Sequence, residues 1–102
     1  DLERLHQMYA KSNLENMALI IDCNHSNSGK NYLEQRRICK EVLHSCRHNA
    51  DIGNMVKGFM IESYLVDGNQ KVGEGVYGKS ITDACLGWEK SKELILEIAD
   101  LV

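Results

Sequence analysis

The sequence has 102 residues, of which 43% are hydrophobic and 26% are charged, and its formal net charge is −3. A chain of this size forms one small domain with one modest core. It is too short for a complete eight-stranded α/β barrel, which needs roughly 200 residues. The densest basic stretch, 30–47, also contains acidic residues and is typical of a solvated helix face. We therefore expect no nucleic-acid partner.

The first half of the chain predicts a helix, a strand and a second helix. A helix is predicted over 2–12, where apolar residues recur at helical spacing, at Leu2, Leu5, Met8 and Tyr9. The nearly continuous apolar run 17–23 predicts a strand buried on both faces, as parallel strands are. An amphipathic helix is predicted over 31–47, with an inward stripe formed by Tyr32, Cys39, Val42, Leu43 and Cys46.

The second half is organised around a glycine-rich segment. Residues 49–54 predict a turn-rich connection, and 56–62 predict a second strand that ends at Glu62. Segment 63–79 contains four of the eight glycines and predicts a long loop, a length that is usually functional. A third short strand is predicted over 80–86 and a final helix over 89–102. This alternation predicts an α/β fold whose parallel strands are joined by helical crossovers.

The four cysteines are predicted to be free thiols. Each lies among apolar residues, which is typical of small buried side chains in a reducing compartment: Cys23, Cys39, Cys46 and Cys85. No pair has the CxxC spacing of a structural zinc site. The sequence shows no secretory signal pattern and no apolar run near the roughly 18 residues of a membrane span. We expect a cytoplasmic protein with no membrane partner.

Chemically versatile side chains lie near the ends of the predicted strands. His25 follows strand 17–23, Glu62 ends strand 56–62, and Asp83 lies towards the end of the third strand. Parallel neighbours are about 4.8 Å apart, so three adjacent strand ends can converge on one ion. One imidazole and two carboxylates suit Mn, Fe, Co or Zn. The ordinary alternatives are a loop histidine and two acidic caps.

Two further histidines form a weaker candidate metal site. His44 and His48 lie four residues apart on helix 31–47, a spacing that can hold zinc. No glutamate lies between them and no third ligand is evident from the sequence. His6 is expected to be an ordinary exposed residue.

Three blocks of sequence carry a family resemblance. They are residues 20–30 (IIDCNHSNSGK), 58–70 (GFMIESYLVDGNQ) and 77–89 (YGKSITDACLGWE). In order and spacing they resemble the type I 3-deoxy-D-arabino-heptulosonate 7-phosphate (DAHP) synthases. The resemblance covers nearly the whole chain but only the C-terminal third of such an enzyme.

The resemblance implies a fold, a reaction and a set of site residues. The fold would be the C-terminal three βα units of a (β/α)8 TIM barrel, which the isolated chain cannot close. The reaction would be the condensation of phosphoenolpyruvate with erythrose 4-phosphate, the first step of the shikimate pathway to aromatic amino acids. His25, Glu62 and Asp83 would be ligands of a divalent metal, and Asp83 would also be catalytic. The parent enzyme would be a metal-dependent aldol-type transferase.

The resemblance also implies what these residues omit. The family's fourth ligand, a cysteine, and its phosphate-binding Arg and Lys residues belong to earlier strands, so no substrate-binding residue is assigned. We therefore expect the isolated chain to be an inactive fragment. The alternatives are a non-catalytic module that self-associates as a homo-oligomer through its open strand edges, or a module that only binds metal.

Overall fold

The computed structural model describes residues 2–102 and contains five α-helices and two strands over that range. In chain order the elements are α1 (Leu2–Lys11), β1 (Leu19–Asp22), α2 (His25–Ser28), a 3-10 turn (Tyr32–Glu34), α3 (Gln35–His48), α4 (Ala50–Met55), β2 (Val56–Met60) and α5 (Trp88–Leu101). Within residues 2–102, every helix is too short or too polar to cross a lipid bilayer.

The sheet consists of β1 and β2, which run parallel. Ile21 pairs with Phe59 and Asp22 with Met60, and the Cys23 amide extends the ladder by donating to the Met60 carbonyl at 2.9 Å. Parallel strands need a crossover connection, and α3 lies in it. The predicted α/β class, with parallel strands and a helical crossover, is confirmed, and the two-stranded sheet is not closed.

The core lies on one face of this sheet. A buried cluster joins the end of β1 to α3 and α5: Cys23, Ile38, Cys39, Val42, Leu86 and Leu94. Ile21 and Phe59 pack against this cluster, whereas Ile20 on β1 is 69% exposed. The prediction that strand 17–23 is buried on both faces is therefore wrong. Side chains alternate across a strand, and in residues 2–102 the packed layer covers only one face.

A short helix replaces the turn-rich connection predicted at 49–54. The Asn49 side chain caps α4 by accepting hydrogen bonds from the amides of Asp51 and Ile52, as N-cap residues do. Close packing on α3 requires a glycine, because a Cβ at Gly53 would lie 2.7 Å from the Cys46 carbonyl oxygen. The cap and this close approach explain why a helix forms where the residue types predict a turn.

The predicted third strand, 80–86, is not a strand in the structure. Isolated bridges and no continuous ladder connect residues 80–86 to the preceding loop; they pair Ser80 with Asn69, Cys85 with Gly68 and Leu86 with Ser63. The Thr82 amide donates to Ser80 Oγ at 3.1 Å. Such local side-chain bonds compete with a regular ladder, and they explain the bend at 81–83.

Candidate metal centre

The structure brings His25, Glu62 and Asp83 together beyond the carboxyl ends of β1 and β2. One ligand atom from each residue lies within 4.8 Å of the other two. His25 is the first residue of α2, and Glu62 lies two residues beyond β2. Asp83 does not end a strand as predicted, because it reaches the cluster from the bend at 81–83. The side chains are 37%, 25% and 43% exposed, respectively, so the cluster is open to an ion.

The donor atoms have the spacing of metal ligands. His25 Nε2 lies 3.0 Å from Glu62 Oε1 and 3.0 Å from Asp83 Oδ2. Two donors at right angles around an ion at roughly 2.1 Å would be about 3.0 Å apart. One nitrogen and two carboxylate oxygens form a donor set that first-row divalent metals accept. The residues therefore fit a divalent ion.

Asp22 fixes the orientation of the His25 ring. Its Oδ2 lies 2.9 Å from His25 Nδ1, so that Nδ1–H donates to the carboxylate and Nε2 faces Glu62 and Asp83. Metal-bound histidines commonly have this carboxylate partner. His25 also has φ +51, a left-handed conformation that is uncommon outside glycine and that clusters at functional sites.

The electrostatics of the cluster are unbalanced. The hydrogen bond with Asp22 raises the pKa of His25, and the charges of Glu62, Asp22 and Asp83 raise it further. The pKa of Asp22 is lowered, chiefly by the hydrogen bond from the Asn24 amide and then by His25. Even a protonated imidazole offsets only one of these three carboxylates. A bound cation would supply the missing positive charge.

Two buried side-chain amides form hydrogen bonds with Glu62. The Gln35 side chain, which is fully buried, donates to the Glu62 carbonyl at 3.0 Å and accepts from the Glu62 amide at 2.9 Å. Asn24 Nδ2 donates to Glu62 Oε2 at 3.0 Å. Neither Gln35 nor Asn24 was predicted from the sequence as part of the site. The signal for Gln35 was its position four residues before Cys39, on the apolar stripe of the helix.

Among residues 2–102, the alternative histidine pair is not joined by a third potential metal ligand. His44 and His48 stack with ring centroids 4.1 Å apart, and His48 Nδ1 lies 2.9 Å from the His44 carbonyl oxygen. Within the described part of the chain, the only group of three or more potential ligands is His25, Glu62 and Asp83.

The four cysteines are free in the structure. Cys23 and Cys39 are fully buried and their sulfur atoms are 3.2 Å apart. The hydrogen bond with Cys39, together with burial, raises the pKa of Cys23. These two thiols belong to the core beneath the cluster, and over residues 2–102 no cysteine joins the three potential ligands.

The fold and the cluster define a parallel α/β protein with a candidate metal centre at the carboxyl end of its strands. Residues 1–96 match the family described as the DAHP synthetase I family. The chain belongs to that family.

Named relatives agree with this assignment. Over 87 residues, or 82% of this chain, it is 40% identical to phospho-2-dehydro-3-deoxyheptonate aldolase of Haemophilus influenzae. It is 41% identical over the same share to the Phe-sensitive phospho-2-dehydro-3-deoxyheptonate aldolase of Escherichia coli K12. A solved structure of phospho-2-dehydro-3-deoxyheptonate aldolase from Francisella tularensis matches 99% of this chain with a TM-score of 0.87 and 30% identity.

The match covers a small part of each relative. The chain spans 23% of the Haemophilus protein and 24% of the Escherichia protein. It spans 29% of the Francisella chain. The relatives therefore contain about three-quarters of their length outside the matched region.

Proposed function

We propose that the chain supplies the C-terminal three βα units of a DAHP synthase barrel and, with them, three ligands of its divalent metal. The reaction would condense phosphoenolpyruvate with erythrose 4-phosphate to give DAHP and phosphate. The observation that carries the proposal is the convergence of His25, Glu62 and Asp83 on one point. Membership of the DAHP synthetase I family supports the reaction class.

Each residue has a distinct role in this proposal. His25 binds the ion through Nε2 and is oriented by Asp22 at Nδ1. Glu62 binds through Oε1. Asp83 binds through Oδ2, and because it is the most exposed of the three, it is also placed to contact the aldose. When bound, a divalent ion supplies Lewis-acid polarisation of a carbonyl oxygen. Mn, Fe, Co and Zn all accept this donor set.

The substrate phosphates would be bound by residues outside this chain. The arginines of α3 are engaged within the chain, since Arg36 pairs with Glu97 and Arg37 pairs with Glu34 and Glu41. The third, Arg47, donates to the Leu101 carbonyl at 2.8 Å. Without phosphate neutralisation and positioning, the chain alone is expected not to turn over. The free thiols support a reducing, cytoplasmic location.

A complementation assay tests this proposal. The chain would be mixed with the Haemophilus relative from which the matched region has been deleted, and phosphoenolpyruvate consumption would be measured with erythrose 4-phosphate and Mn²⁺. We expect turnover only in the mixture, and loss of that turnover when the chain carries His25→Ala. A His44→Ala chain is the matched control and should remain active. Equal turnover with His25→Ala would refute the proposed role of the cluster.

Self-association is a second candidate function, favoured by the open face of the sheet. Ile20 is 69% exposed on β1, and Met60 at the end of β2 is 47% exposed. Apolar side chains on an uncovered sheet face, next to unpaired strand edges, favour pairing with another copy. Light scattering at about 0.1 mM should then give a mass above 11.6 kDa. A monodisperse monomer that unfolds cooperatively would contradict it.

A further inference from the structure

Asn24 is a buried amide next to the candidate metal centre. It is 2% exposed and precedes His25 in the chain. Its Nδ2 donates to Glu62 Oε2 at 3.0 Å and to the Ala84 carbonyl at 3.3 Å. The Asn24 side chain therefore contacts the Glu62 carboxylate and the carbonyl of the residue that follows Asp83. Its backbone is joined directly to His25.

The surroundings fix which way the amide points. Glu62 Oε2 and the Ala84 carbonyl oxygen are both acceptors, and only an NH₂ group with two protons can donate to both. On the opposite side, the buried hydroxyl of Ser28 lies 2.8 Å from Asn24 Oδ1 and donates to it. A flipped amide would place its oxygen against two acceptors. The hydrogen-bond partners therefore determine which side of the Asn24 amide carries Nδ2 and which carries Oδ1.

In this network the two carboxylate oxygens of Glu62 have different partners. Oε2 accepts from Asn24 at 3.0 Å. Oε1 lies 3.0 Å from His25 Nε2 and faces the shared point of the cluster. The bond from Asn24 occupies one lone pair of Oε2 and holds the carboxylate so that Oε1 is the oxygen facing His25 and the cluster.

We propose that Asn24 is a positioning residue of the metal centre, whose amide makes Glu62 a monodentate ligand through Oε1. This inference rests on the metal-binding role proposed above for His25, Glu62 and Asp83. The Asn24 bond to the Ala84 carbonyl extends the same effect to Asp83, because it fixes the neighbouring peptide. Removal of the amide frees the Glu62 carboxylate to rotate, so that Oε1 is no longer held towards the ion.

Cobalt binding to the chain tests the inference with a readout other than activity. CoCl₂ would be titrated into the chain while the visible absorption is recorded, since its position and intensity report the number of ligands. Asn24→Ser should weaken binding by roughly 10-fold or more, the usual effect of removing a group that orients a ligand. It should also change the absorption bands. Ser28→Ala leaves Asn24 in place but removes the donor to Oδ1, and should produce a smaller change in the same direction.

Matched variants separate this inference from the proposed function. Asn54→Ser changes an exposed amide in α4, at the opposite end of β2, and should bind cobalt like the wild type. His25→Ala should bind at least as poorly as Asn24→Ser. Unchanged affinity and bands in both Asn24→Ser and Ser28→Ala, with weakened His25→Ala, would overturn the role of Asn24 alone. Equal cobalt binding by His25→Ala and the wild type would overturn the metal centre as well.

Circular dichroism guards against a misfolded variant. If Asn24→Ser loses helical signal, Ser28→Ala serves as the test variant instead. This substitution removes only one hydroxyl group. Weakened cobalt binding by a folded Ser28→Ala chain supports the inference, and unchanged binding by that folded chain overturns it.

Discussion

The metal-centre cluster and the outer face of α3 and α5 both concentrate ionisable side chains, but they balance charge differently. On the helix face, Arg36 and Lys40 share Glu97, and Arg37 lies between Glu34 and Glu41. Cations and anions are thus matched locally. In the cluster, one imidazole faces the three carboxylates of Asp22, Glu62 and Asp83.

The difference distinguishes a surface whose charges are balanced within the chain from a site that needs an added cation for balance. Exposed, matched pairs contribute little to stability because both partners are well solvated. Carboxylates held together without a matching cation raise the free energy of the folded chain. Such costly arrangements are typical of functional sites. An added cation should therefore change the cluster and leave the helix face unaffected.

The packing beneath the helix face, not its ion pairs, should dominate stability. Leu94 on α5 is 1% exposed, and Leu94→Ala should lower the free energy of unfolding by about 2–5 kcal/mol. Its neighbour Ile95 is 57% exposed, and Ile95→Ala should cost about 0.5 kcal/mol or less. Urea unfolding measures both. Equal losses would show that α5 does not pack as described.

Manganese should stabilise the chain through the cluster alone. At about 100 times its dissociation constant, a ligand that binds only the folded state adds roughly 2.7 kcal/mol to the free energy of unfolding. We expect this gain in the wild type and in His44→Ala, and no gain in His25→Ala. Thermal unfolding with and without MnCl₂ measures it. A gain retained in His25→Ala would place the ion elsewhere.

The pair formed by Asp67 and Lys90 should give a metal-independent acid dependence. Lys90, and then the Gly87 amide, lower the pKa of Asp67 below its ordinary value of 3.8. Because the folded pKa is depressed, the pair stabilises the fold above pH 3.8 and the contribution is lost as pH falls through the lower value.

Asp67→Asn tests this dependence with little change in shape. The amide oxygen still accepts from the Gly87 N–H, but the charge that faces Lys90 is gone. Between about pH 5 and about pH 2, the free energy of unfolding of Asp67→Asn should fall less steeply than that of the wild type. Identical slopes would mean that Asp67 does not contribute through its charge.

The smallest effect is expected at the helix face itself. Arg36→Ala removes a matched, half-exposed pair with Glu97, and its unfolding should be hard to separate from that of the wild type, at low or high salt. A double-mutant cycle with Glu97→Ala measures the coupling. A large coupling would erase the contrast between the two regions.

The sequence predicted the meeting of His25, Glu62 and Asp83 better than the elements that carry them. Parallel strands end at one edge, and this rule alone placed His25 beside Glu62. It assigned Asp83 to a strand end, whereas Asp83 lies on a bend held by Ser80 and Thr82. The rule succeeded because the side chains converge whenever their chain segments lie side by side. The segments do not need to be regular strands.

The residues that hydrogen-bond to Glu62 could not be predicted in the same way. Gln35 contacts a backbone 27 residues away, and Asn24 contacts Glu62 across 38 residues. No local pattern specifies such pairings, although a polar residue on an apolar stripe signals that one exists. Likewise, Gly53 and Asn54 have low helix propensity, and only the Asn49 cap and packing on α3 make α4 a helix.

The span of the Asn24 hydrogen bonds has a consequence for folding. Its amide joins partners 38 and 60 residues further along the chain, and contacts this distant form late because loop closure precedes them. The cluster therefore exists only when nearly the whole tertiary structure is in place. In a refolding experiment, cobalt colour should appear after helical signal and should report the last steps by which the chain acquires its native order.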